Sequence, residues 1–395
     1  MKWFLRIVSV VLIVLIVLII FYWSTIQRLR HTMSLFDQDV IVQNFQNMED
    51  AYNTSSFPAS TNPKTNPIDL SYQLPEFYLN GSTKKNTKTF LNYTRTTGLL
   101  ITHNDTIVYE SYDNDLQPDE THISWSVSKS LIATLIGIAV GKDMFSINEP
   151  VTKYLPKFKN TGYDNVIIKD ILQMSTGVGF NENYADFNSD INKFGRAFAT
   201  GTSLEDFSKT LERESEPGTV CHYVSINTQV LGLLLAEVTG RSITDLTHEW
   251  LWQPMGAEYP ANWIVDNTGF EVVLGGLNAT LRDFSKLGLL YLHNGNYNGH
   301  QIISPEWISD ATTPDAPHLM PDVSARSLGY GYQWWIPPND GGAFFAHGIY
   351  NQFIYIQPDK NLVITKLSAN HHFKTEGSAT VTDHLALFKA ICADF

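Results

Sequence analysis

The chain has 395 residues, 43% hydrophobic and 17% charged, enough apolar mass for one large globular domain or two smaller ones and too much for a disordered or collagen-like chain. Its 27 Lys and Arg against 40 Asp and Glu give a net charge of −13, the wrong sign for a surface that gathers phosphates, so nucleic acid is not an expected partner. Two cysteines, Cys221 and Cys392, cannot build a disulfide framework or a cysteine-rich metal site.

The densest apolar block comes first. From Ile7 to Trp23 no residue is charged, which is the short end of what a membrane-spanning helix needs. Lys2 and Arg6 precede it, Arg28 and Arg30 follow it, and it ends in Phe21, Tyr22 and Trp23, residues that favour the membrane interface. A cleavable signal peptide has a shorter apolar core and small residues at its exit. The expectation is a single-pass, uncleaved anchor within residues 1–30, its span at 7–23, with a signal peptide or a buried core helix as alternatives. Lys2 and the terminal amine tip the N-terminus inward. The body would then be extracytoplasmic, in a periplasmic or extracellular setting.

Residues 53–67 read NTSSFPASTNPKTNP, a linker composition. Residues 31–67 are accordingly assigned as linker and 68–395 as the body. Gly98–Thr102 and Thr106–Tyr112, on either side of His103-Asn104-Asp105, read as a hairpin. Ser128–Val140, SKSLIATLIGIAV, is apolar on nearly every face, and such a helix must be buried all round. Further helices are predicted at Ile167–Met174, at Thr228–Val238 closed by Gly240, at Thr244–Trp252 and at Leu281–His293. Strands return at Phe344–His347, Phe353–Ile356 and Leu362–Leu367, before a last helix over Ala379–Ala393. The fold class expected is α/β (α+β): a central antiparallel sheet built from both termini, flanked by helices, with an inserted, mostly helical region.

Ser126-Val127-Ser128-Lys129 opens the buried helix. Residues three apart share a helix face, so the Ser126 and Lys129 side chains can meet. A serine hydroxyl needs a neighbouring base to become a nucleophile, and a lysine serves only when its ammonium is destabilised. Burial and the positive end of the helix dipole both do that. The same pattern at Ser82-Thr83-Lys84-Lys85 lies in a polar stretch with nothing to bury the lysine. Serine is also a preferred helix cap, so for Ser126 alone both readings stand.

Other segments separate them. Ser124-Trp125-Ser126-Val127-Ser128-Lys129-Ser130, then Pro217-Gly218-Thr219 followed by Tyr223, then Gly275-Gly276-Leu277-Asn278-Ala279-Thr280 with Arg282-Asp283, Tyr332-Gln333-Trp334-Trp335, and Ala346-His347-Gly348-Ile349-Tyr350-Asn351-Gln352 occur in that order. This set resembles the serine β-lactamase and penicillin-recognising superfamily from about Ile68 to the C-terminus. Within it the pattern looks most like the class C-like branch that includes 6-aminohexanoate-dimer hydrolases.

The resemblance implies a β-lactamase/transpeptidase-like fold and a serine hydrolase working through an acyl-enzyme on Ser126. Lys129 and Tyr223 would be the general base and acid, in an order the sequence leaves open. The backbone N–H groups of Ser126 and Ile349 would form the oxyanion hole. Asn278, Glu182, Asp186, Trp334 and His347 are candidate substrate-binding residues, the two carboxylates for a cationic amine. For Tyr330, Tyr332, Trp334 and Trp335 a cleft lining and a core role are both open. The superfamily's Lys-Thr-Gly is replaced by Ala346-His347-Gly348, which removes a cationic anchor unless His347 is protonated. Its Tyr-x-Asn is replaced by Tyr223-Val224-Ser225. Both departures turn the expectation towards an esterase or amidase. A β-lactamase or D-amino-peptidase, and a non-catalytic penicillin-binding-like receptor, are the alternatives. The expected partners are a small-molecule ester or amide and, through the N-terminal helix, a lipid bilayer. No metal or organic cofactor is implied. Cys221, two residues before Tyr223, is expected to be an unbridged thiol.

Overall fold

The apolar N-terminal run forms a helix, Lys2–Phe21, in the computed structural model, which describes residues 2–322, 327–377 and 379–395. Among the described residues it is the one helix long and apolar enough to cross a membrane, and none of its span, Trp3–Phe21, is buried. A second helix, Trp23–Ser34, leads to the body.

Residues 31–67 correct the linker expectation. Leu35, Ile41, Phe45, Met48, Tyr52 and Phe57 are all buried in the main core. Ile41–Gln46 is a short helix, and Thr54–Phe57 pairs antiparallel with Ala261–Ile264, Thr54 opposite Ile264 and Phe57 opposite Ala261. Phe57 packs edge-on against Trp252 at 5.4 Å. The Ser-, Thr- and Asn-rich composition hid this because an edge strand needs only backbone pairing and a few apolar anchors at the right spacing.

Phe45 shows what the segment contributes. It is fully buried, with ring centroids 5.3 Å from Trp125, 5.2 Å from Tyr350 and 5.9 Å from His122. Phe36 stacks on Tyr350 at 4.8 Å. The segment thus backs two stretches far apart in sequence, the one before Ser126 and the one after Ile349. Phe45→Ala is expected to cost about 3–5 kcal/mol in denaturant unfolding, as for other fully buried aromatic truncations. A loss below about 1 kcal/mol would mean that the segment only rests on the body.

The central sheet has seven antiparallel strands in the order Gly329–Tyr330, Trp335–Ile336, Phe344–Gly348, Gln352–Gln357, Leu362–Ser368, Thr96–His103, Thr106–Tyr112. The two termini meet where Leu362–Ser368 pairs with Thr96–His103, Val363 opposite Thr102. Every residue of Gln352–Gln357 and Leu362–Ser368 is buried, so both faces of the sheet are covered. Leu99, Ile101, Phe353 and Ile364 face the last helix, Ala379–Cys392. Leu100, Ile354 and Val363 face the core of the buried helix, Val127–Gly141, and of Leu281–Leu292. A four-stranded sheet, Thr54–Phe57, Ala261–Ile264, Leu277–Ala279, His122–Ile123, closes the other side of that core.

Helices predicted in the middle are present: Ile168–Leu172, Ser225–Thr239 ended by Gly240, Ile243–Thr247 continuing as a π-helical turn to Trp252, and Leu281–Leu292. Gly240 has φ +64°, the left-handed conformation a helix C-terminus often requires.

Candidate active site

The helix Val127–Gly141 is buried on all sides, so its first turn must find partners for polar side chains within the protein. It does so through chain segments remote in sequence. Ser128 Oγ donates to the Val273 carbonyl at 2.8 Å and Ser130 Oγ to the Gln333 carbonyl at 2.7 Å. Gln333 is itself left-handed, φ +63°, held by its side chain to Leu172 and Thr228. These bonds tie Val273, just before Gly275-Gly276, and the Gln333-Trp334-Trp335 segment to the first turn of this helix, although neither supplies a reactive group.

Lys129 is only 1% exposed. Its Nζ donates to the Leu274 carbonyl and to Ser126 Oγ, the latter at 3.2 Å. Burial pulls its pKa down to about 7, and the nearby Glu182 carboxylate opposes that pull. The Ser126 side chain makes no capping hydrogen bond. The helix-cap reading of Ser126 therefore falls, and its hydroxyl is left facing the lysine amine. Trp125, just before it, has φ +43°, a conformation that costs a bulky residue about 1–3 kcal/mol and is held by the surrounding aromatic packing.

Tyr223 follows the Pro217-Gly218-Thr219 turn, in which Gly218 has φ +74°. Its ring stacks on Trp335 at 5.5 Å and lies 5.6 Å from Lys129 Nζ. Burial pushes its phenol well above the usual value, the Glu182 charge adds to this, and the neighbouring Ser126 hydroxyl pulls slightly back. The phenol stays protonated at neutral pH. Gly348 ends the strand before Ile349; a Cβ there would lie 2.6 Å from the Ser124 carbonyl oxygen, so only glycine lets this strand approach the turn before Ser126.

Ser126, Tyr223, Glu182, His347 and Ile349 all line one cleft of about 960 Å³. The other expectations need correction. Trp334 is fully buried, 4.3 Å from Tyr291 and 5.3 Å from Phe344; its neighbour Trp335 is the one that lines the cleft. Asn278 is buried in the four-stranded sheet, donating to Asn262 Oδ1 at 2.8 Å. Asp186 does not line the cleft; its carboxylate accepts from the Asn188 N–H within its own loop. Glu182 is present, but its oxygens accept from the Ser225 N–H at 2.6 Å and the Tyr184 hydroxyl at 3.1 Å, so it is engaged by the protein. His347 sits against Phe353 at 4.7 Å, and its Nε2 has no partner among the described residues. Burial lowers its pKa to about 3. It is a neutral ring where a cationic anchor was at issue.

Cys221 and Cys392 are not bridged to each other; Cys221 Sγ contacts the Gln173 carbonyl at 3.3 Å. Among the described residues no cluster of three or more His, Cys, Asp or Glu is placed to hold a metal ion. Two cleft walls were missed by sequence reasoning: the strand Phe77–Asn80 and one face of the last helix. The periodicity of Val381, Leu385 and Lys389 could have indicated the second; nothing in the sequence marked the first.

The beta-lactamase family model matches residues 91–387, from before Ser126 to well into the last helix. The chain belongs to the beta-lactamase family. It is a serine hydrolase of that family, and its fold is the mixed, beta-lactamase-like architecture expected. It is 29% identical over 290 residues, 71% of this chain and 74% of the relative, to the 6-aminohexanoate-dimer hydrolase of Paenarthrobacter ureafaciens. A solved structure provisionally assigned as a 6-aminohexanoate-dimer hydrolase, from Bacillus anthracis, superposes with a TM-score of 0.79 at 23% identity, covering 89% of this chain and 96% of that one. The hydrolase EstCE1, which has promiscuous acyltransferase activity, gives 0.61 at 15% identity over 76% and 96%. At those identities the two structures speak for the fold alone.

Proposed function

We propose that this protein is a membrane-anchored serine hydrolase that cleaves ester or small amide bonds through an acyl-enzyme on Ser126. The observation that carries this reading is the buried Lys129 amine 3.2 Å from a serine hydroxyl that caps no helix. With its pKa near neutrality, Lys129 is present in part as the free amine, the form that can accept a proton. As Ser126 Oγ bonds to the substrate carbonyl carbon, Lys129 takes the hydroxyl proton. The backbone N–H groups of Ser126 and Ile349 receive the oxyanion. Tyr223, protonated, donates to the departing alkoxide or amine and is resupplied by the lysine. Water then enters by the same route in reverse, releasing the acid and restoring Ser126.

The neutral His347 speaks for substrates without a carboxylate to anchor, hence for esters and simple amides over cell-wall peptides and β-lactams. The Paenarthrobacter ureafaciens relative is named for a linear amide dimer, whose scissile bond supports the amide side of this reading, while its free carboxylate would find no cation in His347. The Lys2–Phe21 helix would hold the catalytic body at a bilayer, outside the cytoplasm.

The test is covalent labelling of the full-length chain with a fluorophosphonate. A mass increase confined to the peptide containing Ser126 is expected. A preparation that turns over a chromogenic ester yet shows no adduct there would overturn the proposal. Parallel assays with a linear amide and a cephalosporin should show turnover of the first and none of the second.

A further inference from the structure

The cleft is larger than the acyl-transfer atoms require. It runs on from Ser126 to a wall made by Val381, Leu385 and Ala386 on the last helix, with the strand Phe77–Asn80 lying along it. Residues four apart share a helix face, so Val381 and Leu385 form one apolar strip, which Ala386 borders where it lines the cleft. In the strand, alternation turns Tyr78 into the core and leaves Phe77 and Leu79 outward, Leu79 63% exposed. Strand and helix form one prebuilt wall, because Asn80 Nδ2 and Lys85 Nζ both bond the Asp383 carboxylate, at 2.5 and 2.7 Å. Lys389 and Asp340, which also line the cleft, pair with each other at 3.5 Å. Val381 is buried and Leu385 and Ala386 are half-buried, so it is with the exposed Phe77 and Leu79 that they make an apolar surface continuous with Ser126, one that suits an apolar occupant.

Resting on the Ser126 acyl-enzyme reading, we propose that this wall is a subsite for an unbranched aliphatic chain, making medium-chain esters the preferred substrate class. The chain is of the kind found in amphiphiles that a membrane-tethered enzyme would meet at the bilayer surface. It could belong to either side of the ester, so the test has two arms.

Full-length protein in nanodiscs is assayed with p-nitrophenyl esters from acetate to octanoate, and with acetate esters of alcohols from ethanol to octanol. In one arm kcat/KM should rise by up to about fourfold per added methylene until the wall is covered. Leu385→Trp, which fills the groove, should cut the octyl-to-acetyl or octyl-to-ethyl ratio at least about tenfold. Leu79→Asp, at an exposed position that tolerates change, should do the same if the tryptophan variant fails to fold. Flat profiles in both arms, or a ratio untouched by the variants, would overturn the subsite while leaving the hydrolase reading intact, provided that acetate is turned over and Ser126 is labelled. Absence of both turnover and label would instead overturn the Ser126 reading.

Discussion

Replacing Ser126 with alanine is expected to lower kcat/KM for a chromogenic ester by at least about a thousandfold while leaving the unfolding midpoint nearly unchanged. The two halves of this expectation have separate causes. Among the described residues of the cleft, this hydroxyl combines a nucleophilic oxygen with a buried amine in hydrogen-bond range. Without it, binding and the oxyanion donors remain but no acyl-enzyme can form. Stability should hold because the side chain caps no helix, and Lys129 keeps the Leu274 carbonyl. The change should therefore stay within about 1 kcal/mol. Steady-state kinetics and thermal unfolding on the same preparation check both, and turnover equal to that of the unaltered protein would end the mechanism.

The second large effect is the pH dependence set by Lys129. Its pKa in the folded chain is about 7, lowered by burial, against roughly 10.4 for an exposed lysine. If, as proposed, the free amine is the active form, kcat/KM should climb as pH rises through about 7 and fall about tenfold per unit below it. Lys129→Met should abolish that limb and cost about a hundredfold to ten-thousandfold. Glu182→Gln supplies the sign check from a second residue. The Glu182 carboxylate raises the lysine pKa, so removing its charge should move the limb to lower pH. A limb that stays in place in Glu182→Gln, or survives in Lys129→Met, would assign it to another group.

Stability carries the same signature. Between pH 7 and about 10.4 the unfolded chain binds the lysine proton and the folded chain does not, so stability rises with pH across that window. Below pH 7 both states hold the proton and the full cost of burying the ammonium is present. Denaturant midpoints of the unaltered chain relative to Lys129→Met should therefore improve from pH 7 to pH 10 and be flat below.

How far the sequence could be read differed from residue to residue. The buried helix after Ser126 was legible because thirteen nearly uninterrupted apolar or small residues from Ser128 to Val140 have no stable place except an interior. The strands Phe353–Ile356 and Leu362–Leu367 were legible for a similar reason, being buried on both faces. Trp334 and Trp335 were not separable, since adjacent aromatics carry no sign of which one points inward. The left-handed Gln333 before them, pinned to Leu172 and Thr228, sends Trp334 into the core and Trp335 to the cleft. Glu182 and Asp186 share one loop and one chemistry, yet of the two it is Glu182 that lines the cleft and acts on the lysine charge, because the Ser225 N–H and Tyr184 hydroxyl hold it there.

By itself, then, the sequence determined the local requirements: a helix that must be buried, a serine and a lysine three residues apart on it, strands at both ends, an apolar N-terminal helix, and the family's ordered motifs. All but the last follow from periodicity and spacing, which act over a few residues; the motifs were read from a resemblance to a known family. Only the tertiary structure decided that the Leu274 carbonyl and Ser126 share the lysine, that residues 31–67 brace the turn before Ser126 and the strand end at Ile349, that His347 is held neutral, and that the last helix walls the cleft. Each depends on burial among partners brought together from distant parts of the chain. Burial, not residue type, sets whether a lysine is a base, a histidine a cation or a phenylalanine part of a linker.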